Sequence, residues 1–135
     1  MKIEDLMVGD FVRVIEPDKY AGYIGEVKDI GSETRYLTLF VPYCNIDVFI
    51  EDVEGIPLTK ELLEKNGFEG DREVMQYHFE EDGQRYHFSL RQMYDKEDKP
   101  SGYSFYAFSV LTILDYVHQL QHALKLCGIE KDIII

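Results

Sequence analysis

Histidines, carboxylates and thiols are the residues of this 135-residue chain whose types and spacing suit chemistry. His118 and His122 stand four apart, the spacing that sets two imidazoles on one helix face toward a metal. Gln119, Leu120 and Gln121 lie between them, so no glutamate occupies the place where a zinc protease keeps its base. No third ligand is near in sequence. The set Tyr116, His118, Gln119 and Gln121 reads first as polar packing between helix and sheet, and second as a partner-binding site. His78 and His87 flank Asp82-Gly83. A two-residue loop there pairs Glu81 with Gln84 and, step by step, His78 with His87. That makes them a candidate two-ligand site for zinc, nickel or copper.

The remaining candidates are plainer. Glu51, Asp52 and Glu54 have the residue types for acid–base work or cation binding, but no calcium-loop spacing accompanies them, and they read as a solvated turn. Cys44 and Cys127 make no CxxC pair and are expected as reduced, mostly buried thiols. Cys127 falls at a helix C-terminus, where the dipole raises a thiol pKa. No serine elbow and no phosphate loop is present, and no cofactor is implied.

The elements that must position these groups can be read in order. Val12 and Val14 alternate with Arg13 as a half-buried strand after a Gly9-Asp10 turn. Residues 23–30 form a second strand, in which Gly25 marks a bulge or a close backbone approach. Tyr36 to Val41 is a central strand ended by Pro42, and Ile46 to Glu51 a fourth. Asp52 to Gly55 leads into a short helix with both ends marked. Thr59 caps its start, Glu61 suits the positive end of its dipole, and Gly67 stops it in the left-handed conformation.

Glu73 to Phe79 and Gln84 to Arg91 then form a hairpin. Its register puts Met75, Tyr77 and Phe79 opposite Leu90, Phe88 and Tyr86 on one core-facing side. The polar loop 95–102 precedes a strand from Tyr103 to Val110, with Tyr103, Phe105 and Ala107 on one face and Ser104, Tyr106 and Phe108 on the other. Leu111 to Leu114 extends the sheet or begins the next helix. Asp115 is the expected N-cap of a helix to about Cys127, stopped by Gly128. Its stripe of Val117, Leu120, Leu124 and Cys127 faces the core. Ile133 to Ile135 is a terminal strand or a docked tail.

Charge weighs against one class of function. The chain carries -12. Residues 1–58 hold 5 Lys/Arg against 12 Asp/Glu, and residues 59–135 hold 9 against 14, so both parts are acidic. Nucleic-acid affinity rests on a basic footprint that releases counterions, and neither part has one. An acidic surface instead accommodates a basic partner. Met1 to Asp5 turns acidic before any apolar run, so no signal peptide is expected. No apolar stretch approaches the ~20 residues that cross a bilayer. A cytoplasmic protein with no membrane partner follows as the expectation.

Short strands in under sixty residues have the scale of a small barrel. Gly9-Asp10, Val12, Val14, Gly22, Gly25, Val27 and Ile30 resemble a KOW motif, found in small barrels of ribosomal proteins and elongation factors. The resemblance covers about residues 8–30 and implies an SH3-like fold. KOW loops that touch RNA are basic, whereas this one holds Glu16, Asp18 and Lys19. A second resemblance spans most of the chain. Ile-Pro-Leu-Thr-x-x-x-Leu-x-Lys-x-Gly-Phe at 56–68, Tyr-Val-His-Gln-Leu-Gln at 116–121 and the N-terminal Met-Lys-Ile-Glu-Asp-Leu-x-x-Gly-Asp are similar to a family of short proteins abundant in gut Bacteroides and their mobile elements. It implies a cytoplasmic protein of phage or conjugative-element context and no particular activity.

These readings combine into an α+β protein. Residues 1–58 form an SH3-like barrel. Residues 59–135 form a helix, an antiparallel hairpin and strand, and a covering C-terminal helix. The function that follows is a non-enzymatic module that binds another protein. The rival readings are a KOW-like nucleic-acid or nucleoprotein module and an acidic decoy of a host DNA-binding protein.

Overall fold

The computed structural model describes residues 2–31, 33, 35–107 and 110–135. Its architecture is mostly β, with two five-stranded antiparallel sheets and two α-helices among the described residues. No helix among them is long and apolar enough to cross a membrane.

The first sheet begins at β1 (Phe11–Val14), where Val12 and Val14 are buried and Phe11 and Arg13 are half-buried, the alternation a one-sided strand requires. β2 (Ile24–Ile30), β3 (Tyr36–Val41) and β4 (Cys44–Phe49) follow as a meander. On β3 the odd residues Leu37, Leu39 and Val41 are buried, while Tyr36 and Phe40 are exposed. Gly25 is a close approach: a Cβ there would lie 3.1 Å from Leu39 Cβ. The register shift falls later, between Val27 and Asp29.

After a 3-10 turn at Ile50–Asp52 the chain returns as β5 (Val53–Gly55), which pairs with β1, Val12 opposite Gly55 and Val14 opposite Val53. The sheet order is β4-β3-β2-β1-β5. Within the expected lead-in, residues 53–55 are therefore a strand. Three residues are too few for a period of two to show in sequence.

α1 (Lys60–Lys65) is capped as its sequence implies. Thr59 Oγ1 accepts a hydrogen bond from Leu62 N at 3.1 Å, and Gly67 takes φ +86° just past the end. The second sheet then runs β6 (Glu69–Gly70), β7 (Val74–Glu81), β8 (Gln84–Tyr94), β9 (Pro100–Ala107) and β10 (Val110–Leu114), each beside the next. The β7–β8 register is the one the Asp82-Gly83 loop dictates, from Glu81 opposite Gln84 to Met75 opposite Leu90. Asp82 and Gly83 have φ of 52° and 79°, the left-handed pair that a primed two-residue turn needs. Met75, Phe88 and Leu90 are buried on one face, while His78, Glu80, Arg85 and His87 are exposed on the other. Tyr86 departs from its core-facing expectation and is exposed near the hairpin tip.

Two further expectations are corrected. The strand from Tyr103 stops at Ala107, and Val110 pairs back against Ala107, so Leu111 to Leu114 belongs to the fifth strand of the sheet. Residues 107 to 110 hold no Gly, Asn, Asp or Pro, which removed the usual reversal signal. Phe108 lies outside the described residues. The N-cap of α2 (Val117–Leu126) is Tyr116, one residue later than Asp115. Asp115 is held in extended chain, because its carbonyl accepts Leu58 N at 3.0 Å and Tyr116 bridges to Pro57. Gln119 Oε1 reaches back to accept the amides of Asp115 and Tyr116 at 2.7 and 3.0 Å.

α2 covers the second sheet. Val117, Leu120 and Leu124 join Met75, Phe88 and Leu90 in one core, with Phe11 and Ile24 of the first sheet packed against it. A separate core lies inside the first sheet around Val12, Leu37 and Leu39. The C-terminal residues dock without forming a strand. Ile133 is buried, and Asn66 clamps Ile134 by accepting its amide at 2.6 Å and donating to its carbonyl at 2.8 Å.

Candidate functional site: an acidic cleft at the seam between the sheets

The seam is built from one turn and one helix face. His118, Gln121 and His122 are spaced i, i+3, i+4, so they form a polar stripe beside the apolar one. This stripe meets the Gly9-Asp10 turn. Gln121 donates from Nε2 to Gly9 O at 2.9 Å and accepts Phe11 N on Oε1 at 3.0 Å. The Asp10 carboxylate, 0% exposed, accepts Met7 N at 2.8 Å. His122 Nε2 lies 3.0 and 2.8 Å from its two oxygens. A buried carboxylate is costly unless its oxygens find partners, and here Met7 N and His122 Nε2 supply them.

Beside this junction opens a cleft of about 500 Å³ lined by Glu4, Asp5, Glu54, Tyr116, His118 and Gln119, with Met7, Val53, Gly55 and His122 completing the wall. Gly55 is required by contact: a Cβ there would come within 2.6 Å of the Tyr116 ring. Tyr116 lies nearly parallel to His118, with ring centres 5.7 Å apart, and His122 stands edge-on to His118 at 5.9 Å. His118 is 2% exposed, and its Nδ1 has no hydrogen-bond partner among the described residues. Burial pushes its pKa down; Asp10 opposes that shift and His122 adds to it. Glu54 pairs with Arg13 at 2.9 Å. Among the described residues the lining itself contains three carboxylates and no lysine or arginine.

The structure thus brings Tyr116, His118 and Gln119 together in one cleft and turns Gln121 to the clamp beside it. His118 and His122 are neighbours, but His122 faces Asp10. His78 and His87 face one another on the far sheet, with ring centres 6.1 Å apart. Among the described residues no three His, Cys, Asp or Glu converge as a metal site. Glu51 pairs with Arg35 at the 3-10 turn, apart from the cleft.

Cys127 is half-buried, and that burial raises its thiol pKa. Cys44 is exposed, contrary to the expectation of a buried thiol, because it opens an edge strand just after the Pro42-Tyr43 turn. Asp10, Glu4 and Asp5 were not among the sequence candidates. The 118/121/122 spacing was the available signal. Nothing in sequence joins it to a turn more than a hundred residues away.

A comparison with protein-family models, with curated proteins and with solved structures finds no match.

Proposed function

We propose that this chain is a non-enzymatic protein-interaction module built on an SH3-like first sheet, and that the seam cleft receives a basic side chain of its partner. The barrel reading is supported by a four-strand meander, a 3-10 turn, and a fifth strand that returns to pair with the first. The cleft reading is carried by one observation: Glu4, Asp5 and Glu54 surround an aromatic wall whose lining, among the described residues, holds no lysine or arginine, the Arg13 partner of Glu54 lying outside it. A guanidinium or ammonium gains from carboxylates that the walls partly shield from water. It gains further from lying against the Tyr116 face. The buried Nδ1 of His118 adds a ring nitrogen without a partner among the described residues to the same wall. Binding is favoured over catalysis because, among the described residues, the lining holds no serine, threonine or cysteine nucleophile.

Calorimetric titration of the full chain with an arginine-rich peptide tests this. Binding should weaken with added salt and weaken again in Asp5→Asn and Glu54→Gln. Absence of binding, or affinity unchanged in both variants, refutes the cleft as the docking site.

A further inference from the structure

We propose that His78 and His87 form a two-imidazole site for a divalent transition metal, with copper(II) the preferred ion. The position in the ladder comes first. Gln92 N donates to Glu73 O at 2.7 Å, so 73 and 92 are a hydrogen-bonded pair. Hydrogen-bonded and non-hydrogen-bonded pairs alternate along an antiparallel ladder, and the latter bring side chains closer. Five steps along, His78 and His87 fall on a non-hydrogen-bonded pair. Both side chains are exposed. On one side Gln76 and Ser89 bond each other at 3.3 Å, and on the other Glu80 stands opposite Arg85. The flanking pairs therefore have opposite or matching partners of their own.

The spacing fits a shared ion. A metal sits about 2.0–2.1 Å from an imidazole nitrogen, hence roughly 3.2 Å from the ring centre. Two rings on one ion are then separated by about 4.5 Å when they bind at a right angle and about 6.4 Å when they bind in line. The rings of His78 and His87 are 6.1 Å apart and tilted 54° to each other. That separation lies inside the range for two rings on one ion, so the proposal asks only for side-chain rotation, with the strands left in register. Imidazole suits copper, nickel and zinc, and the general order of affinity places copper(II) first. No third His, Cys, Asp or Glu joins the pair among the described residues. Water completes the coordination, and affinity depends on both rings together.

The test uses the full chain carrying Cys44→Ser, so that the exposed thiol neither binds nor reduces the ion. Copper(II) chloride is titrated in a non-coordinating buffer, with electron paramagnetic resonance and the unfolding midpoint as readouts. One ion per chain with two nitrogen donors is expected. The midpoint should rise, because the ion bridges strands that are adjacent only in the folded state. His78→Gln and His87→Gln should each weaken binding by at least about 10–100-fold, the scale of losing even an indirect support. Both positions are exposed, so circular dichroism should stay unchanged. Equal copper affinity in the His78→Gln/His87→Gln double variant would place the ion elsewhere and overturn the proposal. So would the absence of any binding to the Cys44→Ser chain.

Discussion

Two buried polar side chains, Asn66 and His118, show how differently such groups can be accommodated. Asn66 uses both ends of its amide, donating to Leu62 O and Ile134 O and accepting Ile134 N. His118 is as deeply buried, and its Nδ1 finds no partner among the described residues. Burial lowers its pKa from the ordinary 6.5, so the unfolded chain takes up a proton more readily than the folded one. The sign follows from linkage. Stability from this group is fully present above the unfolded value and is lost as pH falls below it toward the folded value. His118→Gln should therefore flatten the decline in stability over the acid range that opens below the unfolded value of 6.5. Urea midpoints measured across that window check it, and equal slopes in the two proteins would sink the idea. Sequence placed His118 off the apolar stripe, which is correct. Its burial comes from a second surface that no local pattern encodes.

That second surface makes α2 the organising element, because it offers an apolar stripe to the second sheet and a polar stripe to the Gly9-Asp10 turn. Leu120 lies at the centre of the apolar stripe and is fully buried. Leu120→Ala should cost about 2–5 kcal/mol, the transfer loss plus the cavity left behind. A denaturant midpoint that does not move would mean the helix is not docked. Elements whose cues are local were legible. The Asp82-Gly83 hairpin was readable residue by residue, since loop length sets register. α1 was readable from its Thr59 cap and Gly67 stop. β5 and β6 were not, because strands of two or three residues carry no period and exist only through their partners. The β9–β10 reversal was missed for lack of a turn residue. The first half of the seam cleft, Tyr116 to Gln119, was visible as a polar cluster. Glu4, Asp5 and Glu54 joined it only through the tertiary fold.

Across the whole molecule, the two sheets are tied through α2 by contacts of three kinds. Backbone joins backbone where Val117 N donates to Ile56 O at 2.8 Å and Leu58 N to Asp115 O at 3.0 Å. Side chain joins backbone where Gln121 holds Gly9 and Phe11. Apolar surface is shared where Phe11 and Ile24 of the first sheet pack on the core of the second. Losing the first sheet would strip Gln121 and His122 of their partners and uncover Phe11's contact. Losing the second would expose the Asp10 environment and leave the amide of Phe11 unanswered. Each loss leaves polar groups unsatisfied or opens apolar surface, so neither sheet opens without cost to the other. The expected outcome is one cooperative transition. Native-state hydrogen exchange should give the same opening free energy at Leu37 and Leu39 of β3 as at Phe88 and Leu90 of β8. In the Gln121→Ala/His122→Ala variant the two sets should separate, since four polar contacts at the seam are removed while both cores stay intact. Distinct opening energies already present in the wild-type chain would show that the seam does not couple the sheets.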